Sequence, residues 1–256
     1  ELNRMRKAGE ITRLILGRVA AAVTPGVTTQ ELDELAEAAV KELNAKPAFK
    51  GYQGFPASIC TSVNDQVVHG IPGARKLKTG DIIGLDFGVV YKGYYGDAAV
   101  TVGVGEIAPK HQRLLRVTRE ALWKGINEAR AGNRLSAISR AIQEHVEGNG
   151  FSVVRDFVGH GIGQAMHEEP QVPNYVSPLH RYDPVLKPGM TLAIEPMVNV
   201  GSYQVKVDPR DHWTVTTMDG SYSAHFEHTV LVTAGDPEVL TKVPDGQEED
   251  GGMVQW

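Results

Sequence analysis

The feature that most constrains this chain is that it runs through one order of elements twice. In the first half, Met5, Ala8, Ile11, Ile15, Val19 and Ala22 recur every three or four residues. That stripe predicts an amphipathic helix over Met5–Val23, which Pro25-Gly26 stops. Thr28 with Glu31 three residues later is a capping box. Leu32, Leu35, Ala36, Ala39, Val40 and Leu43 then line one face of a second helix. From Phe49 to about Gly103 the pattern changes to short β-rich runs broken by Gly, Pro, Asn and Asp. The second half repeats this order. A helical segment runs from about His111 to Arg130, Gly132-Asn133 breaks it, and Leu135, Ile138, Ala141, Ile142 and Val146 mark another amphipathic helix. β-like runs follow to about Val232. Letters repeat as well: Leu77-Lys78-Thr79-Gly80 precedes Asp86, and Leu186-Lys187-Pro188-Gly189 precedes Glu195, at a constant offset of 109 residues. Matching element order, glycine positions and carboxylate positions together point to internal duplication.

A chain of 256 residues allows one or two domains and a sizeable core. The duplication favours a single catalytic domain over residues 1–244, with halves of about 1–105 and 106–244, and an acidic, flexible tail over 245–256. That tail holds Asp245, Glu248, Glu249 and Asp250 without Lys or Arg, so most of the net charge of −5 falls there. Neither nucleic-acid nor membrane binding is expected: there is no basic excess, and no apolar run approaches the roughly 20 residues of a membrane helix. The N-terminus does not read as a signal peptide, so the expected location is the cytoplasm. With Cys60 as the single cysteine, intrachain disulfides and CxxC zinc sites are excluded.

The candidate chemistry lies in carboxylates placed on adjacent β-like runs. Asp86 ends the apolar run Ile82–Leu85 and Asp97 begins Ala98–Val102, with the turn signal Tyr91-Lys92-Gly93 between them. This predicts a hairpin with one acid on each strand. Paired strands lie about 4.8 Å apart, so acids facing each other would repel unless a cation lay between them. The second half repeats the device with Glu195, ending Leu192–Ile194, and Glu227, entering His228–Val232. If the halves pack about a pseudo-two-fold axis, four carboxylates converge, a concentration of charge that requires metal.

Among nine histidines, His111, His145, His180 and His212 lie in polar contexts and are expected at the surface. His160 stands in Gly159-His160-Gly161-Ile162-Gly163, where flanking glycines permit close backbone approach. His167 follows before Glu168-Glu169-Pro170, and His69 ends an apolar run before Gly70-Ile71-Pro72. His225 and His228 flank Glu227; alternation turns His228 away from the face of Glu227 and gives it a structural reading. Four carboxylates and an imidazole suit Mn(II), Fe(II), Co(II) or Zn(II). Four negative charges would balance two divalent ions, which points to a binuclear site activating a shared hydroxide. HExxH, Walker, GxSxG and GxGxxG patterns are absent.

The series Asp86, Asp97, Gly-His160-Gly-Ile-Gly, Ile-Glu195-Pro-Met and Glu227-His-Thr resembles type I methionine aminopeptidases of the bacterial kind. So do the runs CTSVNDQVVHGIP, FSVVRDFVGHGIG, HEEPQVPNY and LKPGMTLAIEPMVN. The resemblance extends from about Met5 to Val243. It implies an α+β pita-bread (creatinase/aminopeptidase) fold, two pseudo-symmetric halves with a curved antiparallel sheet covered by helices. It implies two divalent metal ions per chain, with Asp86, Asp97, His160, Glu195 and Glu227 as ligands and Asp97 and Glu227 bridging. His167 would stabilise the tetrahedral intermediate, His69 would hydrogen-bond near the scissile peptide, and Glu195 would carry the proton to the leaving amine.

Tyr52, Phe55, Cys60, Met166 and Trp213, with His69 and His167, would line the substrate pocket. Met166 stands where Phe is common in bacterial relatives, and Phe49 where a smaller residue is common; both remain apolar. The expected activity is removal of the initiator methionine when the second residue is small and uncharged, by attack of a metal-bridging water or hydroxide. The partners would be nascent chains, with the ribosome as a further candidate, and a monomer suffices. Only 32 residues separate Glu195 from Glu227, which leaves no room for the insert of type II relatives. A proline-directed peptidase of the same fold usually carries an extra N-terminal domain, for which this chain has no length. A non-catalytic relative would have lost ligands that are all present here.

Overall fold

The computed structural model describes residues 1–177 and 182–242. His180 and the acidic tail over 245–256 lie outside the described residues. The first half runs α1 (Leu2–Ala21), α2 (Thr29–Glu42), β1 (Lys46–Pro47), β2 (Cys60–Val63), β3 (Gln66–Val68), β4 (Ile82–Tyr91) and β5 (Tyr94–Gly103). The second half opens likewise with two helices, α3 (Pro109–Glu128) and α4 (Leu135–Gly148). β6 (Ser152–Val153), β7 (Gly159–Gly161), β8 (Glu168–Val172), β9 (Thr191–Ile194) and β10 (Met197–Asn199) come next. β11 (Val205–Val207), β12 (Val215–Thr217), β13 (Ser223–His225), β14 (Glu227–Leu231) and β15 (Glu238–Val239) follow.

Local signals act as their chemistry requires. Met5, Ala8, Ile11, Ile15 and Val19 are buried along α1. Thr28 and Glu31 close a reciprocal capping box on α2, the Glu31 N–H donating to Thr28 Oγ1 at 3.2 Å and the Thr28 N–H to Glu31 Oε2 at 2.7 Å. The β4–β5 hairpin turns on Lys92 and Gly93, both at positive φ, the two-residue turn whose twist matches paired strands. α3 begins at Pro109, where a ring without an N–H suits the first helical turn.

Backbone hydrogen bonds show the duplication. The N–H of Gly26 donates to Leu77 O at 2.8 Å, and that of Gly132 to Leu186 O at 3.0 Å. Leu77 donates to Val27 O and Leu186 to Asn133 O, each at 2.8 Å. Gly80 reaches Val104 O at 3.0 Å and Gly189 reaches Val232 O at 2.9 Å. Gly80 and Gly189 adopt φ of +94° and +93°, a left-handed conformation that glycine enters without steric cost. The repeated Leu-Lys-Xaa-Gly is therefore one turn used twice.

One antiparallel sheet joins the halves, in the order β1-β4-β5-β14-β9-β7-β8, with β2 added on β4 and β15 on β14. The hairpin of the first half meets its counterpart along β5 and β14. α1 packs across β4 and β5, α3 packs on α4, and a continuous core draws on all four helices and on β4, β5, β9 and β14. Two small sheets, β13-β10-β6 and β11-β12-β3, lie outside the main one. Three histidines expected at the surface are described, and they differ. His212 is exposed and His145 partly buried beside Glu120. His111 is buried, its ring stacked on Tyr222 at 4.0 Å between centroids, because its helix turn closes against a distant loop.

Candidate metal centre

Strand alternation brings the candidate ligands to one face of the main sheet. Leu85, Phe87 and Val89 of β4 enter the helix-side core, so Asp86 and Gly88 face the other way. Asp86 pairs with Ala99 and Gly88 with Asp97. The two acids therefore share a face as diagonal neighbours, each within its strand, rather than directly opposed. Glu227 opposes Ala99 and joins the same face. Ile194 opposes His228, which brings Glu195, one residue on, level with Glu227. His160 opposes Ala193 and so faces the same side as Glu195. Its flanking glycines are a packing requirement: a Cβ on Gly159 would lie 2.3 Å from Ala193 O, and one on Gly161 2.4 Å from Glu169 O.

Asp97, His160 and Glu227 are buried, and Asp86 and Glu195 are partly buried. Asp97, His160 and Glu227 each offer a ligand atom within 4.8 Å of the others, as do Glu195, His225 and Glu227. His160 Nδ1 lies 2.8 Å from Gly161 O. Donation to that carbonyl puts the lone pair on Nε2, which lies 3.5 Å from Glu195 Oε1. Two acceptors facing one another need a cation between them. Asp86 Oδ1, Asp97 Oδ1 and Glu227 Oε1 are buried without hydrogen-bond partners, and no Lys or Arg among the described residues pairs with the four acids. Burial first, and neighbouring carboxylates second, hold Asp86, Glu195 and Glu227 well above the usual carboxylate range. Burial lifts Asp97 to about 7 against the hydrogen bond from the Ala98 N–H. The imidazoles shift the other way: burial takes His160 and His69 down to about 4 and His225 to about 3. Oxygen-rich, anionic and short of donors, the set fits divalent cations.

Two polar residues hold the backbone of the acids, and a third holds that of His225. The Asp97 N–H donates to Thr229 Oγ1 at 2.9 Å, and that hydroxyl donates to Asp97 O at 2.8 Å. Asn174 Nδ2 donates to Glu195 O at 3.1 Å. Thr101 brackets His225, accepting from its N–H and donating to its carbonyl. His225 is the residue that sequence reasoning left without a role. Its Nε2 lies 3.7 Å from Glu195 Oε2 and 4.0 Å from Glu227 Oε2. Its position two residues before Glu227 was the available signal. His228 keeps its structural reading: it is buried, with Nδ1 2.9 Å from Thr241 Oγ1 and its ring against Trp123.

A cavity of about 170 Å³ opens over the acids, and every expected pocket residue lines it: Tyr52, Phe55, Cys60, His69, Met166, His167 and Trp213, with Phe49 and Gln53 in addition. Phe55 meets Trp213 edge-on at 5.2 Å. Cys60 sits beside Asp86 across β2 and β4, and burial holds its thiol well above the usual range, so it is an apolar wall rather than a nucleophile. Tyr52 Oη lies 2.8 Å from His167 Nδ1, and the His160 and His167 rings are 4.3 Å apart.

A buried carboxylate–imidazole cluster at the floor of an apolar slot, on a sheet shared by two duplicated halves, defines a metal-dependent hydrolase. The sequence profile of metallopeptidase family M24 matches residues 3–234, and the chain belongs to that family. Methionine aminopeptidase 1 of Bacillus subtilis is 53% identical over 243 residues, covering 95% of this chain and 97% of the relative. The crystal structure of methionine aminopeptidase from Thermotoga maritima superposes with a TM-score of 0.91 at 49% identity, covering 95% of this chain and 97% of that one. Xaa-Pro dipeptidase from Bacillus anthracis gives a TM-score of 0.76 at 25% identity, with 95% of this chain covering 61% of that one. Within the family, the chain groups with the bacterial type I methionine aminopeptidases, and its architecture is their pita-bread fold.

Proposed function

We propose that this chain is a metal-dependent exopeptidase that removes the N-terminal methionine of nascent proteins when the second residue is small and uncharged. The observation that carries the reading is the pairing of a four-carboxylate floor with a slot walled by Phe55, Cys60, Met166 and Trp213. Aromatic and sulfur-bearing walls suit an unbranched thioether, with sulfur–aromatic contacts of about 0.3–1.5 kcal/mol. Asp86, Asp97, His160, Glu195 and Glu227 would hold two divalent ions. Glu227, common to both ligand groups, and Asp97 would be shared between them. Co, Mn, Fe or Zn would supply a Lewis acid for the scissile carbonyl and lower the pKa of the attacking water.

This chain's own residues do the rest. Glu195 takes the proton of the attacking water and passes it to the leaving amine. Tyr52 donates to Nδ1 of His167, which leaves an Nε2–H to donate to the carbonyl oxygen as negative charge develops there. His69, kept neutral by burial and set edge-on to Trp213, hydrogen-bonds the scissile peptide at the mouth. Steric exclusion beside the metal-binding floor would leave space for a small second side chain only. A peptidase assay with Met-Gly-Met and Met-Lys-Met, on metal-stripped protein resupplied with each of the four metals, tests this. The first peptide is cleaved and the second is not; equal cleavage of both refutes the size filter.

A further inference from the structure

Residues 48–59 carry Phe49, Tyr52 and Phe55 into the catalytic cavity, and Cys60 follows them at the start of β2. The near end of this segment is tied to the main sheet, where the Ala48 N–H donates to Gly88 O at 2.9 Å. Its middle closes on itself: the Gly51 N–H donates to Phe55 O at 2.8 Å, and the Phe55 N–H to Tyr52 O at 2.9 Å. Its far end is held by a helix. Asp33 of α2 accepts from the Ser58 N–H at 2.8 Å and from the Ile59 N–H at 3.1 Å, both on Oδ1.

The pairing of β2 with β4 begins only at Cys60. Among the described residues, the two N–H groups before it have that one carboxylate oxygen as acceptor. Ser58 and Ile59 are fully buried. Without Asp33 both donors would be enclosed and unpaired, a cost that moves backbone toward water. Bonds accepted by a partly buried charge are the stronger kind. A second tie from α2, Glu37 to Lys50 at 2.7 Å, is solvent-exposed and contributes little. Asp33 is therefore the principal anchor of the far end. On either side of that anchor stand two pocket walls, Phe55 against Trp213 and Cys60 beside Asp86.

We propose that Asp33 is a positioning residue for selection of the first side chain, its carboxylate fixing the Phe55 and Cys60 walls of the slot from behind. This rests on the peptidase reading given above. A displaced wall weakens contact with the methionine side chain equally in the ground and transition states, so KM rises while kcat holds.

The test uses the full chain loaded with Mn(II), as wild type, Asp33→Ala, Asp33→Asn and Thr28→Ala. Asn keeps an oxygen in the place of Oδ1, and Ala does not. Thr28→Ala removes the capping box and weakens α2 without touching the wall. In Asp33→Ala, KM for Met-Gly-Met rises about tenfold, equivalent to about 1.4 kcal/mol of binding, with kcat near wild type. Its preference for Met-Gly-Met over Leu-Gly-Met falls as well. Asp33→Asn recovers most of both, and Thr28→Ala changes neither. A variant that merely lost folded protein would lower kcat and keep the preference. Cys60, the single thiol and a buried one, gives a readout that needs no activity: iodoacetamide alkylates it faster in Asp33→Ala than in the other three proteins. Where Asp33→Ala does not fold, Asp33→Glu takes its place, since it keeps the charge and moves the acceptor by one methylene. Wild-type values of KM or of alkylation rate in the displaced-wall variant overturn the proposal. So does an equal loss in Asp33→Asn, or the same changes in Thr28→Ala. If wild type does not cleave Met-Gly-Met, the peptidase reading falls, and alkylation alone decides whether Asp33 holds the wall.

Discussion

Replacing Asp97 by Asn should stabilise the metal-free protein, because the site holds negative charge that only a cation can balance. Asp97 sits near pKa 7, against an ordinary value of 3.8, and each unit of that difference corresponds to about 1.4 kcal/mol. A carboxyl whose folded pKa is raised favours the fold fully below its unfolded pKa, and loses that advantage as pH rises through the folded one. Stability of the metal-free wild type therefore drains through this group between about pH 4 and pH 7, by roughly 4 kcal/mol. Histidine charging runs in the opposite sense over part of the window: His69, His160 and His225 have lowered values, which favour the fold as pH rises from about 4 to 6.5. Those terms are common to both proteins and largely cancel in their difference. Urea unfolding in EDTA from pH 4.5 to 8 should show Asp97→Asn gaining on wild type by several kcal/mol as pH rises, and Mn(II) should reverse the order at pH 7.5. A difference that is flat or falls with pH would refute the charge-balance argument.

Two further outcomes separate roles within the site. His167→Ala keeps a metal content close to wild type and loses turnover, since its proposed contact is to substrate; metal loss on elemental analysis contradicts that role. His225→Ala weakens metal binding by about 10- to 100-fold through loss of the group that faces Glu195, the usual effect of removing an outer partner of a ligand. Calorimetric titration with Mn(II) measures this, and unchanged affinity shows that Glu195 needs no such neighbour.

Much of this site can be read without coordinates because β-structure converts spacing into direction. Asp86 and the repeat offset of 109 to Glu195 place each acid on an equivalent strand run, and alternation does the rest. The glycines around His160 were also legible, since residues without a Cβ next to a ligand-type side chain indicate backbone packed on backbone, as Ala193 O and Glu169 O show. His225 was not legible in this way. It ends β13, which pairs with β10 in a separate small sheet, whereas Glu227 opens β14 in the main one. Parity arguments hold along one strand and lapse where the chain passes between sheets. His111 misled for a related reason: its polar neighbours describe the helix surface, and its burial comes from Tyr222, more than a hundred residues away.

By itself the sequence determined the duplicated order of elements, the candidate ligands and their assignment to adjacent strands, because these follow from local periodicity and residue chemistry; the pocket residues came from the family resemblance. Tertiary structure alone decided that β5 lies beside β14, so that acids 130 residues apart converge, and that His225 enters the cluster. These depend on which surfaces meet when the halves pack, and contact between distant segments leaves no mark on the spacing within either one.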